Sequence, residues 1–96
     1  MPYFIVLSTL TDEGSKTLKK NPGRIKEVNK ELEERFGVKV LDQYVVLGEY
    51  DFVNIVEAPS EEAVLKAMVE LTSRGTVRTK TMPAIKVDDF IELLKE

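Results

Sequence analysis

VVLGEYDFVNIVEAP, residues Val45–Pro59, is the stretch on which the fold turns. One run of strand-forming residues ends at Gly48, and Asp51 opens a second. Two such runs separated by a short turn containing Gly predict an antiparallel hairpin. Gly48 supplies the φ > 0 that the reversal needs, and Asp51 can hydrogen-bond turn amides as Asx turns do. Tyr50 combines an apolar ring with a hydroxyl that needs a polar partner. These residue types fit a pinned hairpin, and they also fit a hairpin that carries a binding site.

Upstream, Val38–Leu47 is the first arm of this hairpin, and Phe52–Ala58 is the second. Before it, Asn21-Pro22 predicts a helix N-cap and first position. The helix runs to about Phe36 on an apolar stripe of Ile25, Val28, Leu32 and Phe36, with Gly37 as a left-handed cap. Lys30-Glu34 and Glu31-Arg35 are i,i+4 pairs on its wet face. The polar connection Thr11–Gly23 is expected to hold one helical turn after Thr11. Tyr3–Leu10 is apolar in both alternating phases, which marks a strand buried on both faces.

Downstream, Ser60 caps a helix with Glu61 and Glu62 at its positive dipole end. Its stripe is Val64, Ala67, Met68 and Leu71, and Arg74-Gly75 ends it. Thr76–Val87 is a fourth strand interrupted by Pro83. Asp88 or Asp89 is expected to cap a short last helix with Phe90, Ile91 and Leu94 inward.

The order is β-α-β-β-α-β plus a C-terminal helix, within one domain of residues 1–96. This is the α+β, ferredoxin-like pattern: an antiparallel sheet with two helices on one face. Phe4, Val6, Phe52 and Val56 are assigned to the sheet face that the helices leave open, together with Asn54 as a satisfied interface amide. Covering that face calls for a second copy packed sheet to sheet, in a homodimer or higher oligomer.

The chain has no Cys and no His. That removes disulfides, thiolate nucleophiles, and the commonest base and metal ligand. No metal-ligand spacing, P-loop or Gly-rich dinucleotide turn is present, so no metal and no cofactor are expected. A net charge of −3 with interspersed signs speaks against nucleic acid as a partner. The first ten residues lack a basic flank and are too short to span a bilayer, so no membrane association and a cytoplasmic location are expected. The Glu- and Lys-rich composition resembles that of a thermophile's protein.

LGEYDFVNIVEAPSEE followed by GTVRTKTMPA, with YFIVLSTLTDEG at the start, resembles the GYD family of small bacterial and archaeal proteins. That family is named for its Gly-x-Tyr-Asp turn and is functionally uncharacterised. The resemblance implies a dimeric α-β barrel of two ferredoxin-like subunits. The same segments are similar to the effector-binding module of Lrp/AsnC-type regulators. There a Gly-x-Tyr-Asp turn and a Val-x-x-Thr-x-Thr-type run meet at subunit contacts and hold small molecules such as amino acids. The 96 residues include no helix-turn-helix ahead of these segments, so a free effector-type domain is expected.

The resemblance implies a ligand site of Gly48, Tyr50, Asp51, Thr79 and Thr81 for a zwitterionic or anionic metabolite. Asp51 would take a cationic group, and the Thr hydroxyls with backbone amides a carboxylate. The alternative is a cofactor-independent oxygenase or isomerase of the dimeric α-β barrel class. In it Tyr50, Asp51 or Glu57 would carry protons in a pocket inside one subunit. Two further candidates are basic: Lys16, Lys19, Lys20, Arg24 and Lys26 as an anion site, and Arg78 with Lys80 on one face of strand four. The first also fits an ordinary solvated surface, and the second, which could hold a carboxylate, also fits cross-strand salt bridging at a sheet edge.

Overall fold

A computed structural model describes residues 1–95. The elements are β1 (Tyr3–Leu10), α1 (Asp12–Lys20), α2 (Arg24–Phe36), β2 (Lys39–Val45), β3 (Phe52–Glu57), α3 (Glu61–Ser73), β4 (Val77–Ala84) and α4 (Val87–Leu94). The four strands form one antiparallel sheet in the order β2-β3-β1-β4. This is the ferredoxin-like arrangement: the two strands apolar in both phases, β1 and β3, are the central pair. The edge strand β4 tolerates Pro83 because a missing N–H there breaks no outer ladder.

The polar connection after β1 holds more structure than one turn. Thr11 caps the nine-residue α1, accepting from Gly14 N at 3.1 Å. Asn21 ends α1 rather than starting α2, and Gly23 precedes Arg24 at the α2 start. The expected caps hold elsewhere. Gly37 is left-handed at φ 72°, and Ser60 Oγ accepts from Ala63 N at 3.1 Å.

The two sheet faces are the reverse of the expected assignment. Phe4, Val6, Phe52 and Val56 are buried, and Phe4, Val6 and Val56 pack with Leu32, Val38, Val64 and Ala67 under the helices. Each such burial contributes about 1.5–3 kcal/mol. Asn54 lies in this phase, so it belongs to the interior and not to a subunit interface. The open face carries the other phase: Ile5 and Leu7 of β1, Val53 and Ile55 of β3, and Met82 of β4. Both phases of β1 and β3 are apolar, so alternation alone cannot orient them. Register decides it, because Leu7 pairs with the exposed Lys80 while Val6 pairs with Thr81.

An ion network clasps α2 to α3. Arg74 donates through both terminal nitrogens to the Glu31 carboxylate, with Nη1 at 3.0 Å from Oε1, and through Nε to Glu70 at 3.2 Å. Arg35 bonds Glu31 at 2.9 Å and reaches Glu70 at 3.4 Å. The hydrogen bond from Arg74, then that from Arg35, hold the Glu31 carboxyl down to about 2.

The last helix also departs from expectation. Lys86 precedes it without a side-chain cap, and Asp88 and Asp89 lie in its first turn. Phe90, Ile91 and Leu94 do not point inward: they are 49%, 44% and 67% exposed. Every residue of α4 is exposed, so the helix projects from the body of the domain.

Candidate functional site

The turn between β2 and β3 is fastened to the end of β1. Asp51 N donates to Ser8 O at 2.9 Å, and Asp51 Oδ2 accepts from Leu10 N at 2.8 Å. Val46 N donates to Asp51 O at 2.8 Å and closes the loop. The Asp51 carboxylate thus bonds an amide 41 residues away rather than a neighbouring turn amide. Gly48 adopts φ 129°, a conformation that L side chains rarely take, in open space.

Tyr50 lies beside Lys80, whose ammonium is 5.6 Å from the ring centre and 3.5 Å from the hydroxyl. Lys80 shares the open sheet face with Arg78. Thr79 and Thr81 pair with the buried Ser8 and Val6 and therefore lie on the helix-covered face. Within one protomer, then, Gly48, Tyr50 and Asp51 come together, while Thr79 and Thr81 are on the other side of the sheet. Of the basic cluster, Arg24 is paired with Glu27 at 3.2 Å, and Lys16, Lys19, Lys20 and Lys26 are exposed.

A cavity of about 220 Å³ lies between the sheet and α1, α2 and α3. Its walls are mainly apolar, with Val6, Val28, Leu32, Val56, Met68 and Leu71 among them. Its polar groups are amides, hydroxyls and guanidinium groups, including Asn54, Asn29, Gln43 and Thr17. Asn29 and Gln43 bond each other, Asn29 Nδ2 to Gln43 Oε1 at 2.7 Å. Asn54 Nδ2 donates to Val6 O at 2.9 Å and to Ser8 Oγ at 3.3 Å, while its Oδ1 has no partner. Tyr50, Asp51 and Glu57 do not line this cavity, nor does any other carboxylate, Tyr or Lys among the described residues.

Residues 4–94 match the GYD domain. The chain belongs to the GYD domain family. A Thermus thermophilus protein named "Glutamine synthetase and cystathionine beta-lyase binding protein" is 63% identical over 95 residues, covering 99% of this chain and 100% of that one. Among solved structures, the leucine response regulatory protein of Mycobacterium tuberculosis is similar with a TM-score of 0.60 at 21% identity. That likeness covers 88% of this GYD domain, which spans 51% of the regulator's length. A second protein of Thermus thermophilus is similar with a TM-score of 0.55 at 23% identity, over 90% of this chain and 95% of that one. At these identities the structural likeness is one of fold.

Two features of this GYD domain escape the sequence. Arg74 stands there only as a helix end, yet it is the centre of the α2–α3 clasp. Its partner Glu31 is 43 positions away, and no local spacing signals that pair. Asn54 is visible as an amide in an apolar strand. Alternation groups it with Phe52 and Val56 but does not say that this phase faces the helices, and so hides its place in the cavity.

Proposed function

We propose that this GYD domain is a homo-oligomeric binding module whose partners are enzymes of amino-acid metabolism, glutamine synthetase and cystathionine β-lyase among them. The observation that carries this reading is the end-to-end identity of 63% with a protein named for binding those two enzymes. An identity that high over the whole length exceeds what the non-exposed residues alone can account for, so part of the surface is shared, and surfaces are what a partner recognises.

Two unpartnered apolar surfaces support the reading. The open sheet face presents Ile5, Leu7, Val53 and Ile55, each half-buried, with Met82 at 44% exposure. A two-fold axis through this face covers both copies with one patch, which is the simplest way to form a dimer. The second surface is α4. Val87, Phe90, Ile91 and Leu94 fall at i, i+3, i+4 and i+7, the anchor spacing of a helix that docks into a groove. The sheet face is assigned to the second copy and α4 to the enzyme. The test is surface-immobilised Thermus glutamine synthetase or cystathionine β-lyase exposed to the purified chain. Saturable binding that Phe90→Asp abolishes supports the assignment. Binding that Phe90→Asp leaves intact moves the enzyme surface away from α4, and no binding to either enzyme removes the reading.

The turn supports a second reading, a site for a zwitterionic or anionic metabolite at a contact between copies. Leu10 N engages Oδ2 of Asp51, which leaves the other carboxylate oxygen to meet an ammonium group. Gly48, Tyr50 and Asp51 of one protomer would act with Thr79 and Thr81 of another, since one protomer holds them on opposite sheet faces. A thermal-shift panel of amino acids tests it: a hit should vanish in Asp51→Asn and weaken in Thr79→Val.

A further inference from the structure

We propose that two copies of this chain stack with their two-fold axis running along the strands, so that the β4 edge of each lies over the β2 edge of the other and Lys80 meets the partner's Tyr44 and Asp42. This direction rests on the assignment of the open sheet face to a second copy, and it adds the charged contacts at the rim of that interface.

Register lays the open face out in rows. Asp42, Ile55, Ile5 and Met82 form one row across the sheet, and Tyr44, Val53, Leu7 and Lys80 form the next. Arg78 follows Lys80 on β4, beside Thr9. At the other end Lys39 stands beside Glu57, and their charges offset each other. The middle of the face is therefore apolar, with a carboxylate and a Tyr ring on its β2 edge and two cations on its β4 edge. Tyr44 is 60% exposed, and Asp42, Arg78 and Lys80 are exposed too. Among the described residues no ion pair involves Asp42, Arg78 or Lys80. The ammonium of Lys80 meets only the neutral ring and hydroxyl of Tyr50.

Two sheets packed face to face in the aligned way keep their strands within about 30° of each other. A two-fold axis between them then runs either across the strands or along them. Across the strands, β4 covers β4 and β2 covers β2. That gathers four cations on one side of the interface and two carboxylates on the other, each beside its like, which costs affinity. Along the strands, β4 covers β2, β1 covers β3, and each row lies on the same row of the other copy. The apolar middle is indifferent to the choice, since Ile5 meets Ile55 in one arrangement and Leu7 in the other. The charges decide. Lys80 comes over the partner's Tyr44, whose ring attracts a cation. The partner's Asp42 is one row on, about 7 Å along the strand, an offset that the flexible Lys stem spans. Two-fold symmetry makes the contact twice, so four otherwise unpaired charges are matched.

The test is sedimentation equilibrium of the wild type, Asp42→Lys, Lys80→Glu, the variant carrying both changes, and Ile55→Asp, with folding checked by circular dichroism. Asp42 and Lys80 are exposed on edge strands, so their reversal should leave the protomer folded. Each single reversal sets like charges together twice and should raise the dissociation constant of the dimer by at least about tenfold. The double variant exchanges the two charges and should return it to within about threefold of the wild type. Suppose Ile55→Asp dissociates the dimer while the single reversals leave its affinity unchanged or tighten it. The open-face assignment then stands and the axis direction is overturned. Single reversals that weaken the dimer without rescue in the double variant also overturn the pairing. A wild type that stays monomeric, or a dimer that Ile55→Asp leaves intact, overturns the open-face assignment and the axis direction with it.

Discussion

Removing the Asp51 side chain isolates what the turn contributes to stability. In Asp51→Ala the Leu10 amide, partly buried, loses the carboxylate that now accepts from it at 2.8 Å. A hydrogen bond to a charged group contributes about 1.5–3 kcal/mol, and the stranded N–H adds to the loss. The backbone bonds to Ser8 O and from Val46 N do not need the side chain and should survive. A net loss of about 2 kcal/mol is therefore expected. In a domain of this length each kcal/mol lowers Tm by roughly 4–8 °C, so Tm should fall by about 8–16 °C. Asp51→Asn keeps an acceptor oxygen and should lose less than half as much. The assay is urea and thermal unfolding followed by circular dichroism, at one fixed protein concentration because self-association would add to apparent stability. If Asp51→Ala matches the wild type, the bond to Leu10 does not fasten the turn. If Asn costs as much as Ala, charge rather than hydrogen-bond geometry holds it.

Three further outcomes follow from the packing. Gly14→Ala would drive a Cβ into the backbone carbonyl of Thr76, forcing α1 away from the start of β4, so urea unfolding should show a loss of about 1–3 kcal/mol. Glu31 has its carboxyl lowered from 4.5 to about 2, so its stabilising effect is full above pH 4.5 and is lost as pH falls toward 2. Glu31→Gln should flatten the stability–pH curve across that window, as measured by urea midpoints. On the sheet, Ile55→Asp should dissociate the proposed oligomer while leaving the protomer folded, whereas Phe52→Glu should unfold it. Sedimentation with circular dichroism distinguishes the two, and a folded, dissociated Phe52→Glu would restore the face assignment that register rejects.

Much of the architecture is legible because local signals agree with one another. Gly37, Ser60 and Gly48 each mark a boundary through a backbone conformation or a cap that few other residues provide. Strand order follows from the hairpin and the two helical crossovers. The faces of β1 and β3 are not legible, because Phe4 and Ile5, or Phe52 and Val53, are equally apolar. Only pairing with β4, where charged Arg78 and Lys80 alternate with Thr79 and Thr81, breaks the tie. Asn54 compounds the error, since an amide is ill-suited to a core until the cavity beside it is known. The stripe of α4 is plain in the sequence as an amphipathic pattern. Its partner is not, because periodicity cannot tell a face that packs on the domain's own core from one that awaits another molecule. Of the turn residues, Asp51 stands out as an anchor. Its acceptor role toward Leu10, across the sheet, depends on tertiary pairing that spacing does not encode.

Sedimentation velocity of the purified chain mixed with Thermus glutamine synthetase, and separately with cystathionine β-lyase, tests the enzyme-binding claim most directly. A tag absorbing outside the protein band reports on the small partner alone. The account predicts that the tagged chain leaves its own slow boundary and moves with the enzyme. It predicts the same for the 63% identical Thermus relative run in parallel. Two unshifted boundaries with this chain, at concentrations where the relative co-sediments, would contradict it.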